Sequence, residues 1–311
     1  MARTAHHATA ADGTPIYWSS TGRGSPAVVL TDGIGCAGWI WRALRPKLAE
    51  DRRVIHWNYR AHGASGAPRS PARMTLVDCA EDLAAVLADA REPRAVIVAH
   101  SMGVQVALEL HRRHPERVAG LVLALGAPGR LLDAFRDSPA AKLAFPWARD
   151  LILRHPELAR VAFRTLIPTQ FAVDYALQHE VDRTRVDRAD MQRYFDDLAQ
   201  VDPTLFVRLL HSASDHDATP HLPKVRVPTL VIGGEKDTFT PLRLSREMAE
   251  AIPGARLLVL RGGTHVGLLE AQELVEREVR AVLAEATPVE PAASRARPRA
   301  RDTTRRPRTR R

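Results

Sequence analysis

Three residues of this 311-residue chain are of the types that together open acyl bonds, and each sits where the chain is expected to turn sharply. Ser101 lies in Ala99-His100-Ser101-Met102-Gly103, after the apolar run Ala95-Val96-Ile97-Val98-Ala99 and before the helical pattern Val104 to Arg113. Such a strand-to-helix junction exposes the hydroxyl above the sheet edge and needs small residues on either side. It also leaves the Met102 amide at a helix N-terminus, facing any negative charge that develops there. Alone the string is weak, since at ordinary Gly and Ser frequencies it arises in roughly one chain in five of this length. A serine is a poor nucleophile until a base takes its proton and a carboxylate fixes that base. Asp237, in Gly233-Gly234-Glu235-Lys236-Asp237-Thr238, and His265, in Gly262-Gly263-Thr264-His265-Val266, supply those types in the chain order Ser, Asp, His. Each follows an apolar run, Val227 to Ile232 and Arg256 to Leu260, so both are expected beyond the carboxyl ends of parallel strands, where open α/β sheets place their sites.

The elements that must position these residues alternate. Strands are expected at Arg3 to Thr9, Ile16 to Ser20, Ala27 to Thr31, Val54 to Asn58, Ala95 to Ala99 and Gly120 to Leu125, with helices at Trp41 to Glu50, after Thr75, and at Val104 to Arg113. Thr75 is a suitable N-cap for a helix that carries Leu76, Ala80, Leu83, Val86 and Leu87 on one face. This is the pattern of an α/β domain with a mostly parallel sheet flanked by helices. From Pro128 the alternation stops, and about a hundred residues read as helices broken at prolines 139, 146, 156, 168 and 203. Strand character then returns, and an amphipathic helix is expected from Gly267 to about Glu285. The division is a core of residues 1–127 and 225–286, an inserted helical cap of residues 128–224, and a disordered Arg-rich tail of residues 287–311.

On these residues the chain resembles serine hydrolases of the α/β-hydrolase fold, over about residues 10 to 285. The segments Asn58-Tyr59-Arg60-Ala61-His62-Gly63-Ala64-Ser65 and Pro228-Thr229-Leu230-Val231-Ile232-Gly233-Gly234-Glu235-Lys236-Asp237 are similar to those that flank the site in that family. The resemblance implies an eight-stranded sheet, a helical lid after the sixth strand, and Ser101, His265 and Asp237 as nucleophile, base and orienting acid. It also implies an oxyanion hole from two backbone N–H groups, those of Met102 and Ile34. The loop that carries Ile34 departs from the family, reading Asp32-Gly33-Ile34-Gly35 where His-Gly is usual. A carboxylate aimed at an oxyanion would oppose catalysis, so Asp32 is expected to turn away and accept loop N–H bonds. Gly33, Asp32 and His100 are the other candidates for the pocket or its loops, with His100 expected to pack under the turn at Ser101. Epoxide hydrolases and haloalkane dehalogenases of this fold attack with Asp, and proline iminopeptidases carry His-Gly-Gly-Pro-Gly at the oxyanion loop. Neither pattern is present here.

The remaining features weigh less. His211, Asp215, His216, Asp217 and His221 crowd the end of the insert without a regular ligand spacing, so no metal is assigned, and the proposed chemistry calls for no cofactor. Cys36 and Cys79 are read as packed residues, and no disulfide is expected. Leu131, Leu132, Phe135, Leu143, Phe145, Trp147, Leu151 and Ile152 are expected to hold the insert together or to line an apolar cavity. Of the formal charge of +9, the last 25 residues contribute nine Arg, one Asp and one Glu, so the body is nearly neutral. That argues against specific nucleic-acid binding and leaves weak contact of the tail with polyanions. No stretch is long and apolar enough to span a bilayer and no signal-like run opens the chain, so a cytoplasmic enzyme is expected. The leading expectation is hydrolysis of a small, mostly apolar carboxylic ester or lactone. The alternatives are acyl transfer to another acceptor or carbon–carbon bond hydrolysis on the same triad, and a binding protein that kept the fold without turnover. Oligomeric state stays open.

Overall fold

The computed structural model describes residues 4–133 and 135–287. The Arg-rich stretch, apart from Thr287, lies outside the described residues. The order of elements is β1 Thr4–Thr9, β2 Pro15–Thr21, β3 Ala27–Thr31, α1 Leu44–Leu48, β4 Val54–Trp57, α2 Leu76–Asp89, β5 Ala95–His100, α3 Met102–Arg113 and β6 Val118–Ala124. The insert follows, with α4 Ala140–Arg154, α5 Pro156–Leu166, α6 Gln170–His179, α7 Arg188–Gln200 and α8 Pro203–Asp215. The core resumes with β7 Thr229–Gly234, α9 Leu242–Ala251, β8 Arg256–Leu260, α10 Gly267–Glu270 and α11 Gln272–Ala286.

The strands form one eight-stranded sheet in the order β1-β2-β4-β3-β5-β6-β7-β8. The β1–β2 and β2–β4 pairs are antiparallel, and every later pair is parallel. Side chains alternate between its two faces with the period of a strand. Ala95, Ile97 and Ala99 join the apolar cluster under α2, α3 and α9, whereas Val96 and Val98 join the cluster under α1 and α11. Burial on both faces explains why β3, β5 and β6 read as unbroken apolar runs. Helix α2 starts where its cap dictates: the Thr75 hydroxyl accepts the Asp78 amide at 3.1 Å and donates to the Asp78 carboxylate at 2.6 Å.

Several expectations need correction. The helix expected over Trp41 to Glu50 is a short 3-10 turn, Trp39–Trp41, followed by the five residues of α1. The single helix expected after Gly267 breaks at Ala271 (φ −128°, ψ 46°), next to Glu270, whose carboxylate accepts the Thr264 amide. Pro146 lies inside α4 rather than ending it, whereas Pro156 and Pro203 open α5 and α8. Leu143, Trp147 and Leu151 neither hold the insert together nor line a cavity: all three are exposed on α4.

Candidate active site

Ser101 is the joint between β5 and α3, with φ 56° and ψ −123°, a positive-φ conformation that a side-chain-bearing residue adopts only under constraint. Its amide donates to Ala124 O on β6 at 3.0 Å, which pins the turn to the neighbouring strand. The helix can start so abruptly only because residue 103 is glycine. A Cβ there would stand 2.6 Å from Thr31 O and 2.7 Å from Asp32 O, both rigid backbone atoms. Ser101 is 8% exposed, at the floor of a cavity of about 770 Å³.

His265 and Asp237 reach the same point from the loops after β8 and β7. His265 Nε2 is 3.0 Å from Ser101 Oγ, and His265 Nδ1 is 3.0 and 3.1 Å from the two carboxylate oxygens of Asp237. A carboxylate only accepts, so Nδ1 carries the proton and Nε2 offers its lone pair to the serine hydroxyl. Asp237 is held on its other side as well: Oδ1 accepts the amides of Phe239 and Thr240, each at 2.9 Å, and Oδ2 accepts the Thr240 hydroxyl at 2.8 Å. Burial alone would raise its pKa, but the adjacent imidazole and these hydrogen bonds outweigh it and hold the carboxyl below its usual value. The ring of Phe239 stacks on His265, with centroids 4.7 Å apart.

The loop after β3 runs alongside the serine; a Cβ on Gly33 would stand 3.0 Å from that of Ser101. Gly33, Ile34 and His100 line the cavity, and Asp32 does not. Asp32 turns away as expected, but its partners are not loop N–H groups. Its Oδ1 accepts the Trp41 indole N–H at 2.6 Å and its Oδ2 the His56 Nε2–H at 2.8 Å, while its main-chain carbonyl accepts the Tyr59 hydroxyl at 2.5 Å. The carboxylate is thus spent on a buried brace behind the loop. The Met102 amide is the first of α3, where the helix has no acceptor for it.

His100 Nε2 donates to the carbonyl of His265 at 2.9 Å, so this ring positions the loop that presents the imidazole. Burial, and then repulsion from His265, push its pKa down to about 3, which keeps it neutral. Glu270 holds the same loop from the far side, accepting the Thr264 amide at 2.8 Å and hydroxyl at 2.7 Å, and it also accepts the Asp182 amide of the insert at 2.9 Å. A second tie runs from the Arg136 amide to Thr238 O at 2.7 Å. The insert is therefore fastened to the loops that carry Asp237 and His265.

The cavity walls are mainly apolar, with Leu131, Leu132, Phe135, Met191, Phe206 and Val266 among them, and Arg136 and Glu180, which are paired with each other, as charged members. The sequence alone does not mark His56, Trp41, Tyr59, Phe239 or Glu270 as site residues, because each meets the site only through tertiary contacts. Cys36 is buried near the Asp32 loop, where burial and the Asp32 charge push its thiol well up, and Cys79 lies in the core. The insert histidines diverge: His211 lies against Arg149 and Asp215, His216 against Glu109, and His221 against His111. Among the described residues no three metal-ligating side chains converge, and no helix is long and apolar enough to cross a membrane.

Comparison with known proteins places this fold. Two curated bacterial relatives, both named "Putative carbamate hydrolase RutD", are 27% identical over 80% of this chain and 85% of their own length (Yersinia enterocolitica) and 28% identical over 80% and 88% (Azorhizobium caulinodans). Among solved structures, a thermophilic esterase from Thermogutta terrifontis superposes with a TM-score of 0.74 at 24% identity, covering 92% of this chain and 99% of its own. The enol-lactonase of Burkholderia xenovorans LB400 superposes with a TM-score of 0.72 at 23% identity, covering 90% and 100%. At these identities the superpositions speak to the fold alone. The sequence profile of the alpha/beta hydrolase fold matches residues 26–272, most of the chain, so this protein belongs to the α/β-hydrolase family and is an enzyme of that type.

Proposed function

We propose that the chain is a serine hydrolase that cleaves a small, mostly apolar carboxylic ester or lactone through an acyl-enzyme. One observation carries this reading: the unbroken line from Asp237 through His265 to Ser101, with contacts of 3.0 Å on both sides of the imidazole, at the floor of an apolar cavity. Ser101 Oγ attacks the carbonyl carbon while His265 Nε2 takes its proton. The carbonyl π-electrons move to oxygen, and the Met102 and Ile34 amides meet the oxyanion, at roughly 3 kcal/mol per donor in comparable sites. When the carbonyl re-forms, the bond to the alcohol oxygen breaks and His265 returns the proton to that oxygen. Water deprotonated by the same imidazole then attacks the acyl-enzyme, and Ser101 leaves as the alcohol. Asp237 fixes the tautomer throughout and stays ionised.

The cavity favours an uncharged acyl group, because its apolar lining gives an ionised substrate little to pair with and Arg136 and Glu180 satisfy each other. The name of the curated relatives points to carbamates, whose carbonyl the same line of groups could attack. A series of nitrophenyl esters of graded acyl length, assayed beside a nitrophenyl carbamate, separates the two. The reading expects faster turnover of apolar esters than of the carbamate, and loss of turnover in a folded Ser101→Ala variant. Undiminished turnover in that variant would overturn the site assignment.

A further inference from the structure

Nine large hydrophobic residues are exposed among the described residues, and all but Val77 lie between 143 and 175 in the insert. Leu143, Trp147 and Leu151 recur every fourth residue, so they form one stripe along α4, and Trp147 is 83% exposed. Leu158 and Val161 are exposed likewise on α5, which is joined to α4 through His155 alone. Such a surface is not the ordinary scatter of exposed side chains. The segment also carries more cations than anions: residues 140–166 contain Lys142, Arg149, Arg154, Arg160 and Arg164 against Asp150 and Glu157, with Arg149 paired to Asp150 and Arg160 to Glu157 and Asp202. Arg154 and Arg164 are exposed.

We infer that the outer face of α4 and α5 is a docking surface for an anionic lipid bilayer. An exposed Trp between two Leu on a helix flanked by cations is the composition that settles at the headgroup–acyl boundary. The nine arginines of residues 287–311 add a second, purely electrostatic attraction to the same kind of surface. A second copy of the chain fits less well, because a two-fold contact sets this basic face against itself. The cavity supplies an independent reason. Ala141 at the start of α4, Leu166 at the end of α5 and Phe171 on α6 all line it, and Leu166 and Phe171 are also exposed, the latter by 79%. The apolar mouth and the apolar face therefore belong to the same part of the insert. A docked molecule would open toward the acyl region; delivery of an ester by that route rests on the hydrolase reading, whereas the docking itself does not.

The tryptophans make the test direct, since Trp18, Trp39, Trp41 and Trp57 are buried and Trp147 is the exposed one. The full chain is titrated with phosphatidylcholine vesicles, with and without phosphatidylglycerol, while emission, quenching by brominated acyl chains and co-sedimentation are followed without substrate. The expected result is a blue shift with acyl-chain quenching on the anionic vesicles, and at least tenfold weaker binding to the neutral ones. Trp147→Ser should abolish the shift, Leu143→Ser with Leu151→Ser should weaken co-sedimentation at least tenfold, and both variants should keep the near-ultraviolet dichroism of the folded chain. A chain ending at Thr287 should bind more weakly but still show the shift. Vesicle binding without quenching of Trp147, or lost wholly with the tail, would overturn the proposal by assigning the attraction to the arginines alone. A shift that grows with protein concentration in the absence of lipid would overturn it in favour of self-association.

Discussion

Replacing Asp237 by asparagine exchanges one oxygen for an NH2 group and should reverse the polarity of the whole line to Ser101. In the native structure Oδ1 accepts two backbone N–H groups, from Phe239 and Thr240, and those donors cannot be reoriented. In Asp237→Asn the side-chain amide must therefore keep its oxygen at that position and place its NH2 where Oδ2 stood, against the Thr240 hydroxyl and His265 Nδ1. The hydroxyl can rotate to accept. The imidazole, 3.0 Å from that NH2 position and 3.1 Å from the retained oxygen, answers the nearer donor by losing its own Nδ1 proton, which moves to Nε2 and points at Ser101 Oγ as a donor. The base is then lost without any change of shape. A comparable inversion in other serine hydrolases costs about 10⁴ in kcat, or about 5.4 kcal/mol of barrier. KM for a nitrophenyl ester should change little, because the cavity walls are untouched. Steady-state kinetics on the variant, paired with a thermal melt, measures both. A loss of less than tenfold in a folded variant would refute the argument, since it would mean that Asp237 does not set the tautomer.

Two further outcomes follow from the same geometry. Asp32→Asn removes the charge from the brace formed with Trp41 and His56 and should lower stability by about 1.5–3 kcal/mol, as for loss of a charge-assisted hydrogen bond, with turnover unchanged or lower; a gain of tenfold or more in kcat would show the carboxylate facing the oxyanion instead. His100 binds its proton less tightly in the fold, down to about 3, than in the unfolded chain, at about 6.5, so stability is whole above that value and falls as pH drops between the two, by up to ~1.4 kcal/mol per unit; His100→Asn should flatten that slope in urea unfolding at pH 7 and pH 5, and an unchanged slope would contradict the assignment.

What the sequence reveals and what it hides divide along physical lines. Strand β3 begins and ends where its apolar run does, because a strand covered on both faces has no polar side to blur its limits; β8, a half-buried edge strand, keeps the expected bounds as well. Ser101, Asp237 and His265 are legible because glycine-flanked polar residues after such strands stand out, and the structure brings all three within hydrogen-bonding distance. The partners of Asp32 are not legible. His56 is 24 positions away and meets it only through the pairing of β3 with β4, in which Leu30 stands opposite His56. Phe239 looks like any loop aromatic until the chain folds it onto His265. The insert misleads for the opposite reason: Leu143, Trp147 and Leu151 have the spacing of a buried helical face, and periodicity alone cannot say whether anything covers that face.

The proposed reaction stands or falls on whether Ser101 becomes covalently bonded to the acyl group. It is tested most directly by treating the active chain with a fluorophosphonate and locating the adduct by peptide mass spectrometry. One phosphonyl group per chain is expected, on the peptide that contains Ser101, with ester turnover lost in step with labelling. An adduct on another residue, or full turnover in a chain whose Ser101 has been labelled, would contradict it.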